Sequence, residues 1–131
     1  MELHLKIIGI LLIILSFVHI GFPKYFDWKN DLKNLSLINR QMMQVHTFFI
    51  AFAVFLIGVL CVSSSEDLIN TEFGRRISLG IGLFWAVRLL IQFFGYSFEL
   101  WKNKKFETLM HIVFSILWLY MTVIFTSTYF L

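Results

Sequence analysis

The chain has 131 residues, of which 59% are hydrophobic, 18% aromatic and only 15% charged. Ordinary soluble domains are about 45–50% apolar, so this composition excludes them and points to a membrane protein. The formal charge of +3 is modest, and the basic residues flank apolar runs, so they speak to topology and lipid contact and not to nucleic acid.

Four windows are long enough to cross a hydrocarbon core of about 30 Å as helices: residues 3–22, 42–62, 77–98 and 109–131. Almost nothing is left over, so the expectation is one all-α domain over 1–131, an antiparallel four-helix transmembrane bundle running up-down-up-down. The start resembles a signal peptide in charge and hydropathy, yet no small-residue cleavage pattern follows, and the run is long enough to be the first span.

In that span His19 lies about one turn before Gly21, Phe22 and Pro23, where the proline should end the helix. The connection 24–40 mixes Tyr25, Phe26 and Trp28 with lysines and aspartates, a headgroup-level composition. Leu32, Leu35 and Ile38 recur at helical spacing there, which predicts a short interfacial helix between the first two spans. The second span places His46 near the same boundary, with Met42 and Met43 a turn before it. Cys61, the single cysteine, cannot form an internal disulfide and reads as a packing residue. Then comes a polar tract in which Ser65 and Thr71, each followed by acids, read as helix N-caps.

The third span contains the residue that organises the chain. Arg88 sits within an apolar run, on a stripe of Gly74, Ser78, Ile81, Trp85, Arg88, Gln92, Gly95 and Glu99, while Leu83, Val87, Leu90, Ile91, Phe94 and Phe98 lie off it. A charge in that position costs roughly 2.5–3.5 kcal/mol on insertion scales, so it should face a protein interior or cavity and mark a functional site. No carboxylate lies near its depth: Glu99 is eleven residues on, about 16 Å along a helix. A guanidinium without a built-in counter-ion wants an anion or a set of oxygen acceptors. In the fourth span Thr108, His111, Ser115, Trp118, Thr122 and Thr126 form a second polar stripe.

Antiparallel threading would bring His19, His46, His111 and Gln92 to one layer with Arg88 a turn deeper. Three imidazoles suit a transition metal such as zinc, iron or copper, with Met42 as an added thioether. His46 and His111 could be axial ligands of a haem, although propionates point toward the aqueous edge and Arg88 lies deeper, which counts against it; the His, Gln and Arg donors suit a quinone headgroup stacked on Trp85. The expected roles are therefore His19, His46, His111 and Gln92 as ligand or metal contacts, Arg88 as anion clamp, and Trp85, Ser115, Trp118 and Met42 as pocket wall. The expected function is binding of a metal or redox cofactor, with a lipophilic anionic substrate. Against it stands the plainer reading that histidines a turn below an interface cap helix ends, and that hydroxyls bond within helices. The competing functions are a non-catalytic accessory subunit of a membrane complex and a small oligomeric transporter; the absence of an intramembrane carboxylate disfavours a proton-coupled exporter. Partners would be the lipid bilayer, a second copy or a membrane complex. The connections on the histidine side carry Lys24, Lys29, Lys33, Arg40, Lys102, Lys104 and Lys105, against Lys6, Arg75 and Arg76 on the other, which places the histidine end in the cytoplasm and both termini outside the cell membrane.

Overall fold

The structure is a computed structural model describing residues 1–131. It is all helical, without strands: α1 (Glu2–Val18), α2 (Phe22–Tyr25), α3 (Trp28–Asp31), α4 (Leu37–Ser63), α5 (Ser65–Asn70), α6 (Glu72–Phe94) and α7 (Lys105–Phe130), with 3₁₀ turns at His19–Gly21 and Phe98–Leu100. Four stretches are long and apolar enough to cross a membrane: Glu2–Tyr25, Leu37–Ser63, Glu72–Phe94 and Lys105–Phe130. The chain divides into two compact units, Leu5–Ser65 and the pair of segments Met1–His4 and Glu66–Leu131.

In the Leu5–Ser65 unit, α1 and α4 approach at glycines. A Cβ on Gly9 would stand 2.7 Å from the Gly58 carbonyl oxygen, and one on Gly58 would stand 2.8 Å from that of Gly9. The small residues let two backbones touch, the way apolar helices gain packing where lipid competes for every larger side chain. Pro23 does not end the first span. The helix tightens to 3₁₀ at His19–Gly21 and resumes as α2 with Pro23 in its first turn, where a missing N–H costs nothing.

The interfacial segment differs from a single amphipathic helix. Between the end of the first span in α2 and the start of α4 it holds only the one-turn α3, entered at Asp27, which takes a left-handed φ of 53° and whose carboxylate accepts from Asn30 Nδ2 at 3.0 Å. Leu35 precedes a cap at Ser36, whose hydroxyl accepts from the Asn39 N–H, so Ile38 belongs to α4 and the second span begins at Leu37.

In the other unit, α5 crosses the start of α6. Thr71 Oγ1 accepts from the Gly74 N–H at 2.9 Å and donates to the Asp67 carbonyl at 2.6 Å, so one hydroxyl caps α6 and anchors α5. The expected cap at Thr71 is present, and α6 starts at Glu72, five residues before the hydropathy window. Ser65 is instead the first residue of α5. α6 and α7 pack with contacts in opposite chain order: Gly82 meets Phe125 and Thr126, Trp85 stacks on Trp118, and Gln92 meets His111. His4 joins this unit by a 2.7 Å hydrogen bond to the Tyr120 hydroxyl.

The α6 stripe is buried at Gly74, Ser78, Gly82, Trp85 and Gln92, whereas Leu83, Val87, Leu90, Ile91, Phe94 and Phe98 are exposed. The exposed faces of α4 and α7 are equally apolar, with Phe48, Phe49, Phe52 and Leu56 on one and Ile112, Ile116, Leu119 and Val123 on the other. A surface so continuously apolar suits a partner or lipid and not water, which is compatible with a multi-pass membrane protein.

Candidate functional site

The site is built on the facing polar stripes of α6 and α7. Arg88 and Gln92 are one turn apart on α6, so their side chains meet, and Arg88 Nη1 donates to Gln92 Oε1 at 3.1 Å. Gln92, 7% exposed, reaches across to α7, where its Nε2 lies 2.8 Å from His111 Nδ1.

The direction of this chain follows from chemistry. A guanidinium only donates, so the amide oxygen faces Arg88 and the amide NH₂ faces His111. The amide N–H donates, hence Nδ1 accepts, and His111 is the neutral tautomer with its proton on Nε2. That leaves a second donor, the Nε2–H, for whatever lies beyond. Ser115 Oγ donates to the His111 carbonyl at 2.7 Å, a bond within α7 that takes the hydroxyl out of the site.

Aromatic rings enclose the relay. The Arg88 guanidinium carbon lies 5.1 Å from the Trp118 ring centre and 5.5 Å from that of Tyr96, within cation–π range. Trp85 stacks on Trp118 at 4.9 Å between centroids and 8° between planes. Trp101 lies flat on His111, 3.9 Å and 17°, held there by the Thr108 hydroxyl donating to its carbonyl at 2.7 Å. The loop before α7 turns at Asn103 with a φ of 61° to make that return possible.

This region holds more donors than acceptors. No carboxylate pairs with Arg88, and the indole nitrogens of Trp85 and Trp118 are buried without a hydrogen-bond partner. A buried N–H left unpaired costs about 1–3 kcal/mol, so the two orphaned indoles are a local cost of this packing, beside a cation that has one neutral hydrogen-bond partner.

Of the sequence-derived candidates, Arg88, Gln92, His111, Trp85 and Trp118 are brought together, with Ser115 behind His111. His19 lies in the Leu5–Ser65 unit, where its Nδ1–H donates to the Leu15 carbonyl at 2.8 Å, a helix-end bond. His46 is exposed, and Met42 is 42% exposed. No three His, Cys, Asp or Glu side chains are placed together to hold a metal ion, so the expectation of a histidine-ligated metal finds no support in this placement. Tyr96 and Trp101 are residues that the sequence reading missed. Both lie past the end of α6, where helical periodicity stops carrying information, although an aromatic pair bracketing a short loop after an arginine-bearing span was the available signal.

No family model, curated protein sequence or solved structure matches the chain.

Proposed function

We propose that this chain is a multi-pass membrane protein of four alternately directed spans that binds the oxygen-acceptor head of a lipophilic molecule at Arg88, Gln92 and His111. The carrying observation is the unmatched donor inventory. Arg88 has a neutral amide as its one hydrogen-bond partner, His111 offers an Nε2–H, and the Trp85 and Trp118 indoles are unpaired. A carboxylate, a phosphate or a quinone carbonyl would each supply what is missing, and a charged head would gain most from the guanidinium. The apolar faces of α6 and α7 give such a molecule a lateral route through the bilayer. Arg88 acts as the clamp, Gln92 orients both neighbours, His111 donates, and Trp101 and Trp118 wall the headgroup. The basic residues Lys102, Lys104 and Lys105 in the connection between α6 and α7 support a cytoplasmic placement for this end.

The test is titration of detergent-purified protein with dodecanoate, dodecyl phosphate and a short-chain quinone, read by tryptophan fluorescence, in wild type and Arg88→Leu. Removing a charged hydrogen-bond partner weakens binding by about tenfold or more. The expected result is saturable binding of at least one probe to wild type and its loss in the variant, with helix content by circular dichroism unchanged. If Arg88→Leu binds every probe as wild type does and is the more stable protein, the clamp is wrong. The three probes separate an anion site from a quinone site.

A further inference from the structure

The Leu5–Ser65 unit contains a second set of chemical groups with the opposite bias. A cavity of about 480 Å³ lies between the α2–α3 segment and α4, lined by Phe22, Phe26, Trp28, Met43 and Ile50 with His19, Asp31 and Thr47 as polar members. The cavity is open to the surface, and its volume falls within the range of small-molecule sites.

The side chains of His19, Asp31 and Thr47 are each able to accept, while Trp28 brings an indole N–H, which only donates. His19 has its Nδ1–H committed to the Leu15 carbonyl, so in the neutral ring Nε2 carries a bare lone pair. Thr47 has its proton committed to the Met43 carbonyl at 2.8 Å, which leaves the oxygen lone pairs. Asp31 brings a carboxylate to which no lysine or arginine is paired, although Lys29 and Lys33 flank it in sequence, and no basic chain lines the cavity. The rings belong to one packed set: His19 against Phe22 at 4.6 Å, and Phe22 edge-on to Phe26 at 5.6 Å. Trp28 is 9% exposed.

We infer that this cavity binds a primary ammonium group carried on a lipophilic chain. An R–NH₃⁺ head has three donors and no acceptor, which matches a carboxylate, an imidazole nitrogen and a hydroxyl oxygen. Its charge is complementary to Asp31 and is favoured against aromatic faces. A neighbouring cavity of about 240 Å³ shares His19, Trp28 and Thr47 with the first and is lined beyond them by Ile20, Pro23, Gln44, Phe48 and Ala51, mostly apolar room for the first methylenes. A head whose only charge is a carboxylate or phosphate, with no ammonium, is rejected here by the same Asp31. The site is independent of the Arg88 reading, and each stands if the other fails.

Two sources share this chemistry, an aminolipid headgroup and a free long-chain amine, and the experiment separates them. Full-length protein is reconstituted in phosphatidylcholine nanodiscs and titrated with octylammonium, with octanol and octyltrimethylammonium as comparisons, by calorimetry against empty nanodiscs. A parallel set of nanodiscs contains equal phosphatidylethanolamine and phosphatidylcholine, and the lipid retained on detergent extraction is identified by mass spectrometry. The expected result is one saturable site that prefers octylammonium over both comparisons, weakened about tenfold or more by Asp31→Asn and unchanged by Arg88→Leu. Retention of phosphatidylethanolamine by wild type but not by Asp31→Asn assigns the site to the lipid headgroup; octylammonium binding without such retention assigns it to a free amine. Asp31 is exposed and caps no helix, so the variant folds, and His19→Phe tests the second contact with the aromatic packing kept. Octylammonium that binds no better than octanol, or that binds wild type and Asp31→Asn equally, overturns the inference.

Discussion

Replacing Gln92 by glutamate changes one atom of a side chain that bridges Arg88 and His111, and it probes the logic of the donor-rich site. The new carboxylate would occupy the place of an amide oxygen already 3.1 Å from Arg88 Nη1. Two unit charges about 4 Å apart attract by about 4 kcal/mol at an effective dielectric of 20, and the net worth of a charged hydrogen bond after desolvation is about 1.5–3 kcal/mol. An external anion must displace that internal one, so affinity for dodecyl phosphate should fall by about 10- to 100-fold. The same change reverses the far end of the relay. A carboxylate cannot donate, so His111 Nδ1 must now carry a proton. Nitrogen-15 spectra of the histidine side chains, assigned with a His111→Gln control, read this directly: wild type shows a protonated Nε2 and a bare Nδ1, and Gln92→Glu shows a protonated Nδ1. Equal anion affinity in the two proteins, or the same His111 tautomer in both, would refute the hydrogen-bond direction on which the reasoning rests.

Gly74 and Gly80 make a matched pair within α6. A methyl on Gly74 would run into the Asp67 carbonyl oxygen, whereas one on Gly80 meets nothing within 4 Å; thermal unfolding in detergent should show Gly74→Ala destabilised by about 1–3 kcal/mol and Gly80→Ala stabilised by up to about 1 kcal/mol. Trp118→Phe keeps an aromatic platform and deletes an unpaired buried N–H, so the unliganded protein should melt no lower than wild type while its affinity for the preferred acceptor probe drops; a lower melting point with unchanged affinity would make that indole purely structural. Thr71→Ala removes both the α6 cap and the anchor to Asp67, with an expected loss of about 1–2 kcal/mol and faster amide exchange at Gly74, which a fully folded α5–α6 corner with unaltered exchange would contradict.

The helices were legible because span length and hydropathy are properties of one segment at a time. So was the buried face of α6, since burial follows helical periodicity: Gly74, Ser78, Trp85 and Gln92 are the residues at steps of three and four, and Arg88 to Gln92 is a one-turn pair. Between Ser78 and Trp85 the stripe took Ile81 where the close approach is at Gly82, because hydropathy does not weigh the advantage of a missing side chain. Helix starts came late by five residues at both Leu37 and Glu72, since polar first turns are held by the Ser36 and Thr71 hydroxyls and not by apolar content. The surroundings of the individual histidines were the least legible feature. A rise of 1.5 Å per residue fixes the height of a side chain along a helix but not the direction it faces, and His46 is exposed. The loop aromatics Tyr96 and Trp101 escaped for a related reason, as their positions depend on a turn at Asn103 and a bond from Thr108.

If the α6–α7 stripes hold an acceptor-headed lipophile, as proposed, it should co-purify with the protein, and its identity and amount can be measured. Organic extracts of wild type and Arg88→Leu, prepared identically in mild detergent and compared by mass spectrometry, should show a carboxylate-, phosphate- or quinone-bearing amphiphile near one equivalent in wild type and depleted in the variant. The same small-molecule inventory in both proteins, with no amphiphile approaching one equivalent, would contradict it.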